Sequence, residues 1–154
     1  MVNVFALPVA TVSPDTSICA GDSISLLASG GDFYAWSPAT GLSNATIASP
    51  MASPDATTAY QVSVQDANGC VNTAEVSLTV NALPVANDGE DQQICPGTSA
   101  QLQGSGGTTY LWKPANLLSD PNNANPLASP RATSAFILTV IDDTGCQDDA
   151  IMFV

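Results

Sequence analysis

Histidine is absent, and the chain has only two basic residues, Lys113 and Arg131. Without histidine there is no Ser–His or Cys–His nucleophile pair. With a net charge of −12, the chain has no basic patch for a phosphate backbone, so nucleic acid is excluded as a partner. The same imbalance repels anionic membrane surfaces. Glutamate occurs only at Glu75 and Glu90, and neither sits in a motif for carboxylate-pair catalysis. No apolar run approaches the roughly 20 residues of a spanning helix, so no membrane insertion is expected. Met1-Val2-Asn3-Val4 runs straight into a strand-like pattern with no features of a signal peptide. Charged residues make up only 10% of the chain against 45% hydrophobic. That ratio fits a folded domain whose polar surface is built from Ser, Thr, Asn and Gln.

What is present is a repeat. Gly30-Gly31 followed by Tyr34-Ala35-Trp36-Ser37-Pro38-Ala39 returns as Gly106-Gly107 followed by Tyr110-Leu111-Trp112-Lys113-Pro114-Ala115, at a constant offset of 76 (112 − 36). Self-similarity at fixed spacing marks a tandem array. The reading is two domains, residues 5–80 and 81–154. Residues 1–4 are a remnant of a preceding repeat's last strand, because Val2-Asn3-Val4 falls opposite Leu78-Thr79-Val80. The excised ends suggest a piece of a longer array. Ala6-Leu7-Pro8-Val9-Ala10 and Ala82-Leu83-Pro84-Val85-Ala86 open the two repeats, and their prolines make each entry extended and stiff.

Within the first repeat, Ile18-Cys19-Ala20-Gly21 reads as a turn and Ser23–Ala28 as an alternating strand. Tyr34-Ala35-Trp36 is a third strand with Tyr and Trp on one face. A proline-rich middle permits only short edge strands. In Thr58–Val64, Tyr60, Val62 and Val64 share a face by period two. Asp66-Ala67-Asn68-Gly69 is a tight hairpin turn, and Ala74–Val80 is the closing strand. No stretch has helical period. Short strands, a Trp on the third and a Tyr opening the sixth predict an all-β fold: two immunoglobulin-like β-sandwich repeats arranged end to end. The predicted cores are Leu26, Tyr34, Trp36, Tyr60 and Val62, and Leu102, Tyr110, Trp112, Phe136 and Leu138. Tyr60 occupies the tyrosine-corner position, and Leu26 and Val62 stand where antibody domains place their core disulfide.

The four cysteines fall two per repeat and singly, without CxxC spacing, which favours disulfides over zinc. Pairing within repeats gives Cys19–Cys70 and Cys95–Cys146. Strand placement argues against it. Cys19 lies at one end of the sandwich, seven residues before mid-strand Leu26, and seven extended residues span roughly 23 Å. Cys70 lies at the other end, and disulfide Cα atoms must come within about 7 Å. In an end-to-end array Cys19 would instead meet Cys146, leaving Cys70 and Cys95 for neighbouring repeats. Both connectivities remain open on the sequence.

The phrase Trp36-Ser37-Pro38-Ala39-Thr40-Gly41-Leu42-Ser43-Asn44, with Ala52-Ser53-Pro54, Thr57–Val62 and Asp66-Ala67-Asn68-Gly69-Cys70, resembles Ig-like and PKD-like repeats of large Bacteroidota surface proteins. SprB-type gliding adhesins are among these. The resemblance covers essentially the whole chain. It implies type IX secretion, a cell-surface location and a role as stalk or adhesin. The Trp-Asp-Phe-Gly-Asp-Gly signature of PKD domains and the C-terminal sorting domain are both missing from the sequence. The resemblance would also allow O-glycosylation at Asp22-Ser23-Ile24. Asn44-Ala45-Thr46 is a sequon that matters only in a eukaryotic secretory path.

No phosphate loop is present, since Gly104-Ser105-Gly106-Gly107 lacks the Gly-Lys-Ser/Thr ending. Acidic oxygens for calcium occur at Asp142, Asp143, Asp148 and Asp149, and at Asp88, Glu90 and Asp91, in no EF-hand spacing. No cofactor and no enzymatic activity are expected. The expected function is a structural or adhesive segment of a long extracellular protein, with neighbouring repeats, surface polysaccharide or other adhesin chains as partners. The alternatives are a carbohydrate- or protein-binding module, with contacts at Phe33, Tyr34 or the 120–125 loop, and an accessory domain of a secreted enzyme.

Overall fold

The structure, a computed structural model, describes residues 4–154. The chain parts into two compact units between Asn81 and Ala82. Most of the reading of residues 1–4 as a strand remnant lies outside the described residues. Val4 itself is not in a strand.

Among the described residues the first unit holds eight strands: β1 (Thr11–Val12), β2 (Thr16–Cys19), β3 (Ile24–Ser25), β4 (Ala28–Ser29), β5 (Phe33–Ser37), β6 (Met51–Ala52), β7 (Thr58–Gln65) and β8 (Val71–Asn81). One sheet runs β2-β8-β7-β5. Its β7–β8 hairpin is closed by Gly69 at φ 82°, and Asp66 Oδ1 accepts from the amides of Asn68 and Cys70. That is the turn chemistry read from Asp66–Gly69. The second layer is two short antiparallel ladders, β1 with β4 and β3 with β6. The Ser23–Ala28 run is therefore interrupted rather than one strand. Leu26 sits between the two ladders, its amide bonded to Pro50 O at 3.0 Å.

Ile18-Cys19, read as the first half of a turn, instead ends an edge strand, Thr16–Cys19. It pairs parallel to β8, Ile18 opposite Val80 and Cys19 opposite Asn81. The turn begins two residues later than read, at Ala20-Gly21. Pattern alone misses such a strand because only Ile18 of its four residues is buried.

The second unit repeats the plan with β9 (Ala100–Gln101), β10 (Thr109–Lys113), β11 (Leu127–Ala128), β12 (Ala135–Ile141) and β13 (Gln147–Phe153). Its sheet runs β10-β12-β13, and β9 pairs with β11. The counterpart of the β1–β4 ladder shrinks to an Asn87–Ser105 bridge. A 3-10 turn at Ala115–Leu117 stands where the first unit has Ala39–Gly41.

Each unit buries its own apolar cluster. In the first, Leu26, Trp36, Tyr60, Val62, Val64, Val76 and Leu78 are essentially inaccessible. In the second, Leu102, Trp112, Phe136, Leu138, Val140 and Met152 take those roles. Trp36 pairs directly with Val62, and Trp112 with Leu138. Tyr34 and Tyr110 are only half-buried, each hydroxyl donating to the carbonyl of a glycine three residues back. Among the described residues no polar or charged side chain is buried in either core. The fold is thus all-β, two immunoglobulin-like sandwiches in tandem, each held by apolar packing where antibody domains carry a disulfide.

Tyr60 departs from the tyrosine corner expected of it. Its hydroxyl donates to Thr40 O, twenty residues upstream, at 2.9 Å, whereas a tyrosine corner bonds a few residues back. Gly41 makes room for it: a Cβ there would lie 2.9 Å from the Tyr60 hydroxyl. In the second unit the pair becomes Phe136 and Leu117, a ring without hydroxyl and an apolar side chain packed on the same core.

Candidate functional site

The four cysteines fall into two chemical states. Cys19 and Cys146 are disulfide-bonded. Cys70 and Cys95 are free thiols, the first half-exposed and the second exposed. Pairing within the repeats, which uses all four, is not what the structure holds. Cys19 sits at the end of edge strand β2, and Cys146 follows the β12–β13 turn.

Three of the acidic residues named for calcium, Asp91, Asp142 and Asp148, accept hydrogen bonds from nearby groups. Asp142 Oδ1 accepts from the Thr144 amide and hydroxyl and from the Cys146 amide. The Thr144 hydroxyl, followed by these amides, holds its carboxyl below the usual carboxylate range against an opposing desolvation effect. Asp148 Oδ2 accepts from the Ala86 amide. Asp91 Oδ1 accepts from the Phe153 amide, and Asp15 does the same for Ser77 in the first unit. Among the described residues no group of three or more acidic, Cys or His side chains is placed to hold a metal ion. These carboxylates instead tie loops to sheet edges.

Two surface features lie within the second unit. One is an open groove between the 91–96 segment and Pro130–Thr133, floored by Phe153 and Val154 and edged by Ile94 and Cys95. Gln92 N donates to Phe153 O at 2.9 Å, but Gln93 to Cys95 belong to no strand. The other is an amide-rich hollow lined by Asn87, Gln101, Gln103 and Asn125.

A third feature is a partly exposed apolar strip that sequence reasoning missed. Leu111, Ile137, Ile151 and Phe153 lie on the outer face of β10-β12-β13, from 36% to 60% exposed. The first unit carries Ala35, Gln61, Glu75 and Ser77 at the corresponding positions. The signal was legible, since the alternation of the first repeat fails in the second, where both faces of the strand are apolar. Of the proposed sugar-contact residues, Phe33 is exposed and Tyr34 half-buried, both on β5. The Asn-rich 120–125 loop belongs to the other unit, where Trp112 N donates to Pro121 O.

No protein family profile and no curated protein matches the sequence. Solved structures do match. A C-terminal fragment of intimin, solved in complex with the Tir intimin-binding domain, superposes with a TM-score of 0.55 at 14% identity over 96% of this chain. The insect immune protein hemolin matches at 0.47 and 12% over 95%, and the paired Ig domains of DIP-gamma at 0.45 and 11% over 96%. The chain spans 45% of the hemolin chain and 64% of the intimin fragment. These likenesses concern the fold. The intimin likeness shows a shared fold and leaves this chain's partner to be argued from its own residues. No helix among the described residues is long and apolar enough to cross a membrane. A disulfide is characteristic of oxidising compartments outside the cytosol.

Proposed function

We propose that the chain is a spacer segment of an extracellular adhesive protein, two Ig-like repeats joined covalently by Cys19–Cys146. The observation that supports this reading is the division of the cysteines: Cys19 and Cys146 are each disulfide-bonded, while Cys70 and Cys95 are free. A bond from the edge strand of one repeat to the hairpin of the next lets tension pass between repeats without loading the proline-containing connection. Apolar cores with no buried charge suit a mechanical part that does no chemistry. The setting implied by the sequence resemblance is a Bacteroidota surface adhesin of the gliding type, exported and anchored through other parts of a longer protein.

The test is a thiol count on denatured, unreduced monomer with peptide mapping. Two free thiols at Cys70 and Cys95 and a Cys19–Cys146 peptide are expected. A map with Cys19–Cys70 and Cys95–Cys146 would overturn the stapled pair. A second reading, a carbohydrate-binding module, draws on the amide-rich hollow at Asn87, Gln101, Gln103 and Asn125. Saturable binding on a glycan array, lost in Q103A, would promote it.

A further inference from the structure

Where the second unit has its amide-rich hollow, the first has the β1–β4 ladder. Shifted by the repeat offset, Asn87, Gln101, Gln103 and Asn125 become Thr11, Ser25, Leu27 and Ser49. In the first unit the Ser13 amide donates to Leu27 O at 2.8 Å and the Leu27 amide to Ser13 Oγ at 3.4 Å. The hydroxyls of Thr11 and Ser29 share a bond of 2.6 Å. In the second unit Gly89 stands for Ser13, and its amide turns to Asn87 Oδ1 at 3.0 Å. Gln103 is left with no hydrogen bond to any described residue, through main chain or side chain. The ladder contracts to the Asn87–Ser105 bridge, and a hollow of about 700 Å³ opens beside it. At each of those four positions the second repeat carries a carboxamide where the first carries a hydroxyl or a leucine.

These carboxamides keep bonding groups for a ligand. Asn87 spends Oδ1 on the Gly89 amide and keeps Nδ2. Gln101 spends Nε2 on the carbonyls of Asn125 and Pro126 and keeps Oε1. Asn125 engages only its main chain, accepting from Gln101 and donating to Asn123 Oδ1. Among the described residues lining the hollow there is no charged, aromatic or aliphatic side chain. Asp88 and Glu90 flank Gly89 in the chain, and Asp88 Oδ2 is buried without a hydrogen-bond partner. An anionic ligand would find no Lys or Arg here and would approach those carboxylates. A peptide would find no apolar pocket for its side chains, on which most peptide recognition depends. A sugar suits the lining. Each hydroxyl both donates and accepts, and one carboxamide offers an acceptor and two donors side by side. The volume lies in the range of sites for drug-sized ligands, which includes a di- or trisaccharide.

We propose that this hollow binds an uncharged oligosaccharide and rejects acidic ones. Gln103 is the principal contact, its carboxamide taking two neighbouring hydroxyls of one sugar ring. Gln101 Oε1, Asn87 Nδ2 and the Asn125 carboxamide take the hydroxyls around it. The proposal rests on the carbohydrate-binding reading above and gives that reading a ligand class and a basis for selectivity. Selectivity comes from what an acidic sugar would lack, a cation to meet its carboxylate, together with the carboxylates it would meet instead. Without an aromatic ring to stack on, binding is carried by exposed hydrogen bonds and is weak, with a Kd on the order of 1 mM. No carboxylate lines the hollow, so recognition requires no calcium bridge.

The test titrates the whole chain with neutral hexasaccharides of glucan, mannan, galactan and xylan, and with hexamers of galacturonate and mannuronate. Side-chain amide resonances are followed by NMR. At least one neutral sugar should shift the Gln103 and Asn125 carboxamides saturably, unchanged by EDTA. The acidic hexamers should bind at least tenfold more weakly. Q103L and N125S install the residues that the first repeat carries at those positions, so each variant keeps a side chain the fold already accepts. Q103L should weaken binding about tenfold, the loss of a two-bond contact, and N125S about fivefold. Acidic hexamers shifting the same carboxamides as strongly as neutral ones would overturn the neutral-ligand inference and leave the carbohydrate reading standing. Neutral-sugar binding that leaves these carboxamides unshifted, or is untouched by both variants, would remove the hollow as the site. No shift by any sugar, or a shift by an Asn- and Ser-rich peptide alone, would end both the inference and the reading beneath it.

Discussion

The Tyr60 hydroxyl donates to the carbonyl of Thr40 across 2.9 Å, and Gly41 next door supplies the space. The second repeat solves the same volume with Phe136 and Leu117. Y60F should cost the first unit about 1 kcal/mol, the net worth of one hydrogen bond, seen as a lower urea midpoint with unchanged m-value. A loss above about 3 kcal/mol would mean that the hydroxyl organises the whole loop.

Burial raises the ionisation of Tyr60 above its ordinary value of 10.0. A group whose folded-state value is raised contributes stability that is complete below the unfolded value. That stability is lost as pH rises through the folded one. Wild type should therefore weaken in alkali from about pH 10 upward, and Y60F should lose that part of the dependence. Thermal melts between neutral and alkaline pH check this.

Gly30 has φ 114°, and a Cβ there would run into the carbonyl of Val9 on the entry segment. G30A should destabilise the first unit by roughly 2–3 kcal/mol or more, combining left-handed strain with a backbone clash. Gly21 has φ 90° but open space around it, so G21A should cost only the conformational part, about 1 kcal/mol. Equal losses for both would show that the Gly30–Val9 contact is not tight.

Trp112 is fully buried, its indole N–H donating to Ala124 O at 3.3 Å. W112A should cost about 3–5 kcal/mol. A domain of this size holds roughly 4–11 kcal/mol in all, at about 0.05–0.15 kcal/mol per residue. Trp36 is the other tryptophan of the chain, so the variant's fluorescence reports the first unit alone. It should keep a blue-shifted, cooperative transition near wild type, and a red-shifted spectrum in native buffer would contradict independent cores.

Asp142 is held in its ionised form first by the Thr144 hydroxyl and then by the amides that follow it. A lowered folded value means its contribution is present above the unfolded carboxylate value and lost as pH falls through the folded one. T144V should raise the Asp142 titration midpoint, measured on its carboxyl carbon by NMR. The β12–β13 turn should then loosen at a higher pH on acidification.

Much of this architecture is legible in the residues. Tyr60, Val62 and Val64 alternate with polar neighbours, which permits one placement, a strand with one face in a core. Asp66–Gly69 carries its own turn, because Asp caps local amides and glycine accepts positive φ. Thr16–Cys19 could not be read that way. Its strand exists only because β8 runs alongside, and a parallel partner some sixty residues distant leaves no local signature. Tyr60 misleads for the same reason, since position suggests a local partner and packing supplies Thr40. In the second hairpin, one oxygen of Asp142 and one of Asp148 accept from backbone amides, a pairing that no spacing rule reveals.

By itself the sequence determined the repeat, its offset, the apolar faces and the turns. Those follow from side-chain periodicity and backbone conformational preference, which act over a few residues. The tertiary structure decided which edges pair, which carboxylates cap which amides, and which cysteines are disulfide-bonded and which are free thiols. Those depend on distances between residues far apart in the chain, and chain connectivity fixes them only once both layers of each sandwich have closed on their cores.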